Sequence, residues 1–337
     1  MLKVGLIGCG GMGSNHAACY SALSSTVKLV AAADLSSEKA KKAADKFGGR
    51  IYRTGKELIE NEELDIVDIC LPTYLHTEHA VLAMKKGMHV FLEKPVCLNM
   101  DEAELLLNTQ KETGMKVQIG QVIRFWDEYV WLRDALKEGR YGKLISASFF
   151  RLSPNPKWGW ENWYNRPELS GTMATDLHIH DADFIRYLME REPDSISSRA
   201  AYDADGILEQ IFTTYQFGDA VITAEGCWDF PDNYPFRMTY RAKLEKATVD
   251  FDGNTLTVYP TEGGKFNPEI SKEYEQDEDV GINISSLGAY YNEIKHFTEC
   301  VANDKPILIA PLSEAVKSLA LVLKEIELAG GKTKQRG

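Results

Sequence analysis

The chain of 337 residues has no pair of cysteines at CxxC spacing and no apolar run near the ~20 residues of a membrane span. Its six cysteines are scattered, which favours reduced thiols in a cytoplasmic protein over a disulfide framework. Basic residues are also scarce: 38 Lys and Arg against 50 Asp and Glu give a formal charge of −12, which argues against nucleic acid or anionic membrane as a partner. A strand candidate begins near residue 3, so we expect no signal peptide.

The first part of the chain alternates short apolar runs with helical patterns. The runs lack clear alternation, as expected for strands that are buried on both faces. They lie at 3–7, 27–33, 66–71, 88–92 and 116–119, with helical patterns at 36–46, 55–62, 76–86 and 101–113. This order predicts a doubly wound parallel sheet, and we assign residues 1–122 to it as a Rossmann domain.

The remaining residues, 123–337, predict an α+β domain with a large, open, mainly antiparallel sheet. A helix pattern near 126–138 precedes the strand-like runs, one long helix near 173–189 interrupts them, and two helices near 287–303 and 313–328 follow them. The strand-like runs lie at 144–152, 194–203, 208–217, 219–228, 236–242, 246–251 and 254–259. The charged stretch 262–283 is interpreted as a surface excursion.

A glycine-rich segment joins the first strand candidate to a helix pattern. In such a turn the first glycine permits the tight bend, the second lets backbone N–H groups approach a pyrophosphate, and the third lets helix and strand pack closely. The strand, the helix and an acidic residue at the expected spacing all agree, so the segment predicts dinucleotide binding. Its candidate cofactor-binding residues are Gly8, Gly10, Gly11, Met12 and Gly13.

Asp34 closes the second strand candidate, where a carboxylate can accept hydrogen bonds from the adenosine ribose and repel a 2′-phosphate. No arginine occurs among the next four residues, so we expect NAD rather than NADP. The alternative is that Asp34 only caps the helix that starts near Ser36.

Polar residues also follow the strand candidates at 66–71 and 88–92, and ligands of open α/β sheets bind beyond the strands' carboxyl ends. Leu71, Thr73 and His76 are candidates for cofactor contacts; Thr73 could instead cap a helix. Glu93 and Lys94, which follow the candidate at 88–92, are further candidates for cofactor contacts. A desolvated lysine there could bind a substrate hydroxyl or move its proton, or it could be a surface residue at a strand end.

Asp176 and His180 are four residues apart in the long helix pattern and would share one face. A carboxylate can orient an imidazole and favour its protonated form, which suits acid–base chemistry. The pair could also bind a metal with a third ligand, or be a polar face of an apolar helix; we predict no metal site. His178 should point elsewhere.

A segment from Asn155 to Tyr164 holds three of the six tryptophans. Indole faces favour the C–H faces of sugars, so Asn155, Trp158 and Trp163 are candidates for substrate binding, although an aromatic plug of an irregular loop is equally compatible with this composition. Arg124 is a further candidate, with a surface salt bridge as the alternative.

Together these residues resemble the glucose–fructose oxidoreductase, inositol dehydrogenase and rhizopine-catabolism (Gfo/Idh/MocA) family over nearly the whole chain. Glu93-Lys94-Pro95 matches its most specific motif, and the glycine segment, Leu71-Pro72-Thr73 with His76, Arg124-Phe125 and Asp176 with His180-Asp181 match others. Tyr290, Glu293 and Phe297 resemble its C-terminal helix pattern. The resemblance implies that Lys94, Asp176 and His180 form a catalytic triad, and that the chain forms homodimers or homotetramers through its open sheet.

The chain departs from the family's motifs at a few positions. Ile123 replaces the first arginine of an Arg-Arg pair, Gly171-Thr172 stands where many members have Gly-Gly, and 241–246 lacks the usual glycines. None of these changes removes a triad residue. The resemblance therefore implies an NAD-dependent oxidoreductase, inositol dehydrogenase-like, that oxidises a secondary alcohol of a small cyclic polyol or sugar. The alternatives are an NAD-dependent glycosidase of the same family and a non-catalytic nucleotide sensor.

Overall fold

The computed structural model describes residues 1–45, 48–270 and 287–331. These residues divide into two compact units. The first unit contains the described residues of 1–125 and 272–316, and the second unit those of 126–271 and 317–337. The division differs from the predicted boundary, because the residues from Leu287 to Val316 belong to the first unit rather than to one continuous C-terminal domain. Leu287, Ile294 and Phe297 pack into the first unit's apolar core, which explains the difference.

The strands are β1 Leu2–Ile7, β2 Val27–Ala33, β3 Arg50–Tyr52, β4 Ile66–Ile69, β5 His89–Leu92, β6 Val117–Ile119, β7 Leu144–Pro154, β8 Ser195–Tyr202, β9 Leu208–Phe217, β10 Ala220–Phe230, β11 Arg237–Leu244, β12 Ala247–Phe251 and β13 Leu256–Pro260. The α-helices are α1 Gly11–Ala22, α2 Ser37–Asp45, α3 Gly55–Asn61, α4 His76–Lys85, α5 Met100–Thr113, α6 Asp127–Lys137, α7 Pro167–Ser170, α8 Ile179–Met189, α9 Gly288–Ala302 and α10 Leu312–Leu328. Short 3₁₀ helices cover Thr73–Leu75, Val122–Phe125 and Trp160–Asn165, and a π-helical turn covers Ala174–His178.

The first unit contains the predicted parallel sheet, with strand order β3-β2-β1-β4-β5-β6 and parallel pairing throughout. All four residues of β4 are buried, which explains why the apolar runs of this sheet do not alternate. Gly87 and Gly114, with φ of +81° and +70°, follow α4 and end α5 as their sequence positions predict. The sequence did not predict β3, which is only three residues long and lacks a buried residue.

The second unit contains a seven-stranded sheet in the order β13-β12-β11-β7-β10-β9-β8. Its pairs are antiparallel except for β7 with β10, which confirms the prediction of a mainly antiparallel sheet. Aromatic rings cover one face: Tyr129 of α6 packs edge-on against Phe184 of α8 and Tyr240 of β11, with ring centroids 4.8 and 4.9 Å apart. The other face carries exposed side chains, among them Phe212 and Tyr259.

Two details of the second unit differ from, or extend beyond, the sequence prediction. The predicted helix over 173–189 is a π-helical turn followed by α8 rather than one continuous α-helix. Of the predicted surface excursion 262–283, residues 262–270 are exposed or half-buried and 271–283 lie outside the described residues. None of the helices in the described part of the chain combines the length and the apolar composition that crossing a membrane requires.

Candidate active site

The glycine loop between β1 and α1 is tightly packed at two points and open at a third. A Cβ on Gly8, where φ is +88°, would lie 2.4 Å from the carbonyl oxygen of Cys70, and one on Gly13 would lie 1.9 Å from that of Gly8. A Cβ on Gly10 would meet no heavy atom within 4 Å. The loop therefore needs glycine at Gly8 and Gly13 to form, and it leaves open space at Gly10, as a cradle for a pyrophosphate requires.

Asp34 is half-buried at the carboxyl end of β2 and holds this loop. One carboxylate oxygen accepts the backbone N–H of Cys9 at 2.8 Å, and the other accepts that of Ser36 at 2.7 Å. Burial and the nearby Asp34 charge raise the pKa of the Cys9 thiol to about 12, so this thiol is an inert core group. Asp34 thus holds the turn before α2 and also supports the glycine loop, whereas the hydroxyl of Ser36 accepts the backbone N–H of Lys39 in the first turn of α2. A carboxylate has about four acceptor positions, so ribose hydroxyls could still be accepted.

His76 connects the loops that follow β4 and β5. Its imidazole is fully buried, with Nδ1 2.8 Å from the carbonyl oxygen of Pro95 and Nε2 2.7 Å from that of Leu71. Burial lowers its pKa. The side chain therefore fixes the two loops to each other, and its predicted contact with a cofactor stays a prediction. The hydroxyl of Thr73 is also buried but has no hydrogen-bond partner in the described residues, so it remains available to a ligand.

Lys94 is half-buried just beyond the carboxyl end of β5. Its backbone N–H donates to the Oε2 of Glu93 at 3.1 Å, and its peptide bond to Pro95 is cis. Gly120, which follows β6, leaves room for the Glu93 carboxylate, because a Cβ there would lie 2.9 Å from Oε1. β1, β4 and β5 are adjacent parallel strands, so the glycine loop, the Leu71 loop and Lys94 lie along one edge of the sheet.

A buried polar cluster of His16, Asp68, Glu93 and Glu293 lies at the same edge of the sheet. His16 Nδ1 is 2.9 Å from an oxygen of Asp68, and Nε2 is 3.2 Å from Oε1 of Glu93. Tyr20 donates its hydroxyl to Asp68 at 2.8 Å. His16, Asp68 and Glu293 are fully buried. Neither carboxyl oxygen of Glu293 has a hydrogen-bond partner in the described residues.

The protonation states within the cluster follow from burial and from its neighbours. Burial opposes the charge on His16, but the Asp68 carboxylate and the Cys70 side chain together raise the His16 pKa well above its ordinary value. Burial, followed by the negative charge of Glu93, raises the pKa of Glu293 well above its ordinary value. The two shifts favour the imidazolium form of His16 and the neutral form of Glu293.

In the described residues, two groups of three side chains have candidate metal-ligand atoms within 4.8 Å of one another, His16–Asp68–Cys70 and His16–Glu93–Glu293. Both groups use His16, whose two ring nitrogens face carboxylates. A proton on Nδ1 satisfies the contact with Asp68 that a metal ion would otherwise make. The sequence interpretation did not single out His16 or Asp68, although His16 follows Gly13 by only three residues, and it noted Glu293 only through the family resemblance.

Asp176 lies in the π-helical turn of the second unit, and His180 lies in the first turn of α8. Asp176 is buried and donates its backbone N–H to the carbonyl of Thr172 at 3.1 Å, while His180 is half-buried. Thr172 has φ of +106°, a conformation that favours glycine, so this chain keeps a glycine-like backbone where many members of the resembled family have glycine. Strained backbone and π-helical turns both occur often at functional sites.

Two buried contacts fix the orientation of this helical segment within the second unit. Arg151 of β7 donates two parallel hydrogen bonds to Asp181, at 2.9 and 3.0 Å. His178 Nε2 lies 2.7 Å from a carboxylate oxygen of Glu325, which also accepts the Tyr215 hydroxyl at 2.8 Å. His178 therefore points into the unit's interior.

The aromatic segment forms a short irregular loop. Trp163 stacks on Tyr164 at 4.0 Å between ring centroids, whereas the side chain of Trp158 is 65% exposed. Asn155 exchanges two side-chain hydrogen bonds with Asn165, at 2.8 and 2.9 Å. Both asparagines line an open depression of about 530 Å³ in the second unit, together with Lys157, Asn162, Asp229, Phe230, Pro231 and Asp232. The loop and the end of β10 thus place amide, carboxylate and ammonium groups in one concave surface, where Lys157 is paired with Asp232.

Arg124 is buried in the first unit, where its guanidinium donates to the carbonyl oxygen of Ile309. Arg124 is therefore not a surface residue. Lys94 and Arg124 belong to the first unit, while Asn155, Trp158, Trp163, Asp176 and His180 belong to the second. The predicted roles of these residues in substrate binding and catalysis stay predictions.

Two family models match the chain. An oxidoreductase family model with an NAD-binding Rossmann fold matches residues 2–121, and a GFO/IDH/MocA C-terminal domain model matches residues 129–263. Inositol 2-dehydrogenase of Rhizobium meliloti (strain 1021) is 30% identical over 322 residues, which cover 94% of this chain and 90% of that protein.

Other relatives match over part of their length or in fold. Glucose-6-phosphate 3-dehydrogenase of Bacillus subtilis (strain 168) is 30% identical over 204 residues, which span only 57% of that protein and 59% of this chain. The solved structure of myo-inositol 2-dehydrogenase from Lactobacillus plantarum has a TM-score of 0.80 at 23% identity and covers 98% of this chain and 97% of that chain. At this identity the solved structure supports the fold alone.

Proposed function

Because the chain belongs to the Gfo/Idh/MocA family of oxidoreductases, we propose that it is an NAD-dependent dehydrogenase that oxidises a secondary alcohol of a cyclic polyol or sugar to a ketone. One observation carries the proposal. Lys94 lies half-buried at the edge of the parallel sheet where the glycine loop opens, with its backbone held by Glu93. Ligands of such sheets bind at this edge, so a lysine there can reach the reacting end of a bound substrate.

The first unit has the donors and the space to hold NAD. The backbone around Gly10, Gly11 and Met12 would approach the pyrophosphate, Asp34 would accept the adenosine ribose hydroxyls, and the unpartnered hydroxyl of Thr73 would contact the cofactor with the Leu71 loop. Bound NAD supplies a hydride acceptor. The negative charge of Asp34, and the absence of arginine among residues 35–38, favour NAD over NADP.

The remaining chemistry concerns the proton of the alcohol. His180 removes it as general base, Asp176 orients the imidazole and stabilises its protonated form, and Lys94 binds and polarises the alcohol oxygen. The alternative assigns the base role to Lys94, which would take the proton in its neutral form. In both versions the lysine stabilises negative charge as it develops on the oxygen.

Arg124 and the aromatic loop supply the substrate contacts in this proposal. Trp158 and Trp163 would pack on the C–H face of the ring, and Asn155 would bind hydroxyls at the depression described above. The exposed face of the seven-stranded sheet would form the interface of a homodimer or homotetramer in the cytoplasm. Its exposed Phe212 and Tyr259 are the kind of apolar side chains that such an interface covers.

A substrate screen tests the proposal. Purified protein is mixed with NAD and a panel of inositols and hexoses, and NADH formation is followed by absorbance. We expect steady NADH formation with at least one free polyol, and its loss in Lys94→Met but not in the control Lys86→Met, which removes an exposed lysine after α4. Tight NAD binding without turnover on any polyol would contradict the proposal. Release of an aglycone without net NADH would identify a glycosidase instead.

A further inference from the structure

The buried polar cluster is not used directly by the proposed chemistry, yet it is built from four ionisable groups on four different elements. His16 comes from α1, Asp68 from β4, Glu93 from the end of β5 and Glu293 from α9. Four of its polar atoms, His16 Nε2, Glu93 Oε1 and both Glu293 oxygens, are buried without a hydrogen bond of standard geometry. Such a set is costly to bury unless its members share protons and charge.

The donors and acceptors of the cluster face one another. His16 Nδ1 is hydrogen-bonded to Asp68 at 2.9 Å, and its Nε2 lies 3.2 Å from Oε1 of Glu93. One oxygen of Glu293 lies within 4.8 Å of the facing His16 and Glu93 atoms, and a neutral Glu293 has one O–H that can turn toward the Glu93 carboxylate. The other facing groups are Tyr20, which donates to Asp68, and Cys70, whose thiol donates to Asp68 at 3.3 Å. Burial raises the pKa of both, so they stay neutral.

The cluster acts on Lys94 through Glu93. The other oxygen of Glu93 accepts the backbone N–H of Lys94 at 3.1 Å, so the carboxylate is both a backbone anchor and the negative charge adjacent in sequence to the ammonium. Gly120 closes over Oε1 with no side chain to displace it. His16 and Glu293 are therefore the side chains through which the cluster reaches the Glu93 carboxylate.

We propose that His16 and Glu293 are positioning residues for the reaction: they hold the Glu93 carboxylate, which fixes the backbone of Lys94 and sets the charge beside it. The inference rests on the role that the proposed function gives to Lys94. In this arrangement Glu293 can offer Glu93 a hydrogen bond while it keeps its proton and adds no charge of its own.

The titration of Lys94 in the full-length protein tests the inference without any need for turnover. Lysines are reductively methylated with ¹³C-formaldehyde, their NMR signals are followed against pH, and the Lys94 signal is assigned by its absence in Lys94→Arg. Glu93→Gln removes a negative charge and should lower the Lys94 midpoint by about one pH unit, as expected for a charge ~6 Å away at an effective dielectric constant of ~40. Glu293→Gln replaces a neutral acid with a neutral donor and should leave the midpoint within about 0.3 unit.

Activity adds a second readout. Glu293→Leu removes the donor at similar volume and should lower kcat about tenfold, the equivalent of one buried hydrogen bond, with KM for NAD within about threefold. Glu293→Gln should retain wild-type kcat. The control is Glu62→Gln in the same unit, since Glu62 is also buried and accepts the Tyr52 hydroxyl at 2.6 Å. It should change neither readout.

Several results would overturn the inference. In the titration, they are an unchanged Lys94 midpoint in Glu93→Gln, or a downward shift of that midpoint in Glu293→Gln as large as the shift in Glu93→Gln. In the activity assay, the result is equal kcat in wild type and Glu293→Leu. Stoichiometric metal in the purified protein would also overturn the inference. If Glu293→Leu fails to fold, the two glutamine variants decide. If wild type oxidises no polyol, the proposed function fails, while the Lys94 titration still decides whether the cluster sets the charge at Lys94.

Discussion

Asp34 should control the choice between NAD and NADP, and the structure indicates how strongly. Its half-buried carboxylate closes β2 beside the glycine loop, and its two oxygens are fixed by the N–H groups of Cys9 and Ser36. A 2′-phosphate carries about −1.5 charges, so at roughly 5 Å and an effective dielectric constant of about 40 the repulsion is about 2.5 kcal/mol. That energy corresponds to a preference for NAD of roughly 70-fold.

The double variant Asp34→Ser with Leu35→Arg removes the repelling charge and adds a phosphate partner, so it should narrow or reverse the preference. It should also weaken NAD use about tenfold, because serine cannot replace both acceptors of the loop N–H groups. Leu35→Arg alone is the matched control and should leave NAD preferred, since the carboxylate remains. The assay is kcat/KM for both dinucleotides, measured side by side with one polyol. A wild-type preference for NADP would refute this account of Asp34.

Three further outcomes follow from other parts of the structure. Thr172→Gly should raise the free energy of unfolding by about 1 kcal/mol, because glycine tolerates φ of +106° and the buried Thr172 hydroxyl has no partner in the described residues. A lower urea midpoint in the variant would contradict this prediction. Burial, then Asp229, raises the pKa of Glu209 from 4.5 to about 7, so the folded state loses stability as pH rises through 7. Glu209→Gln should therefore melt above wild type at pH 8 and converge with it near pH 4, whereas parallel melting curves at all pH values would exclude this effect. Light scattering should show that the wild-type protein has a mass above that of the 37.8 kDa monomer, and that Phe212→Lys lowers this mass. A wild-type monomer at micromolar concentration would count against the sheet interface.

Most of the fold was predictable from local patterns. The strands of the parallel sheet are short apolar runs that end at glycine or polar residues, so hydrophobic patterning located β1, β2, β4, β5 and β6 within a few residues. β3 could not be found in this way, because three residues at the sheet edge carry no burial pattern. The alternation along the later strands likewise predicted a sheet with one covered face, which the aromatic rings around Tyr129 confirm.

The features that the sequence missed depend on contacts between distant residues. The π-helical turn precedes a helix that is fixed by Arg151 and by Glu325, which lie in other elements and leave no local signal. α9 belongs to the first unit because Phe297 packs in the same apolar core as Phe91. The buried cluster also depends on such contacts. In the sequence each of its members is an ordinary polar residue, and only the tertiary structure shows that it is buried away from water.

The most direct test of the account is single-turnover hydride transfer in Lys94→Met, His180→Ala and Asp176→Asn, measured with NAD and the best substrate from the screen. Positioned acid–base groups contribute about 10²–10⁴-fold, so Lys94→Met and His180→Ala should each slow the step by at least that order while NAD still binds. Asp176→Asn should cost less, because the carboxylate orients rather than transfers. Hydride transfer near the wild-type rate in His180→Ala would move the base role to Lys94, and wild-type rates in all three variants would contradict the proposed site.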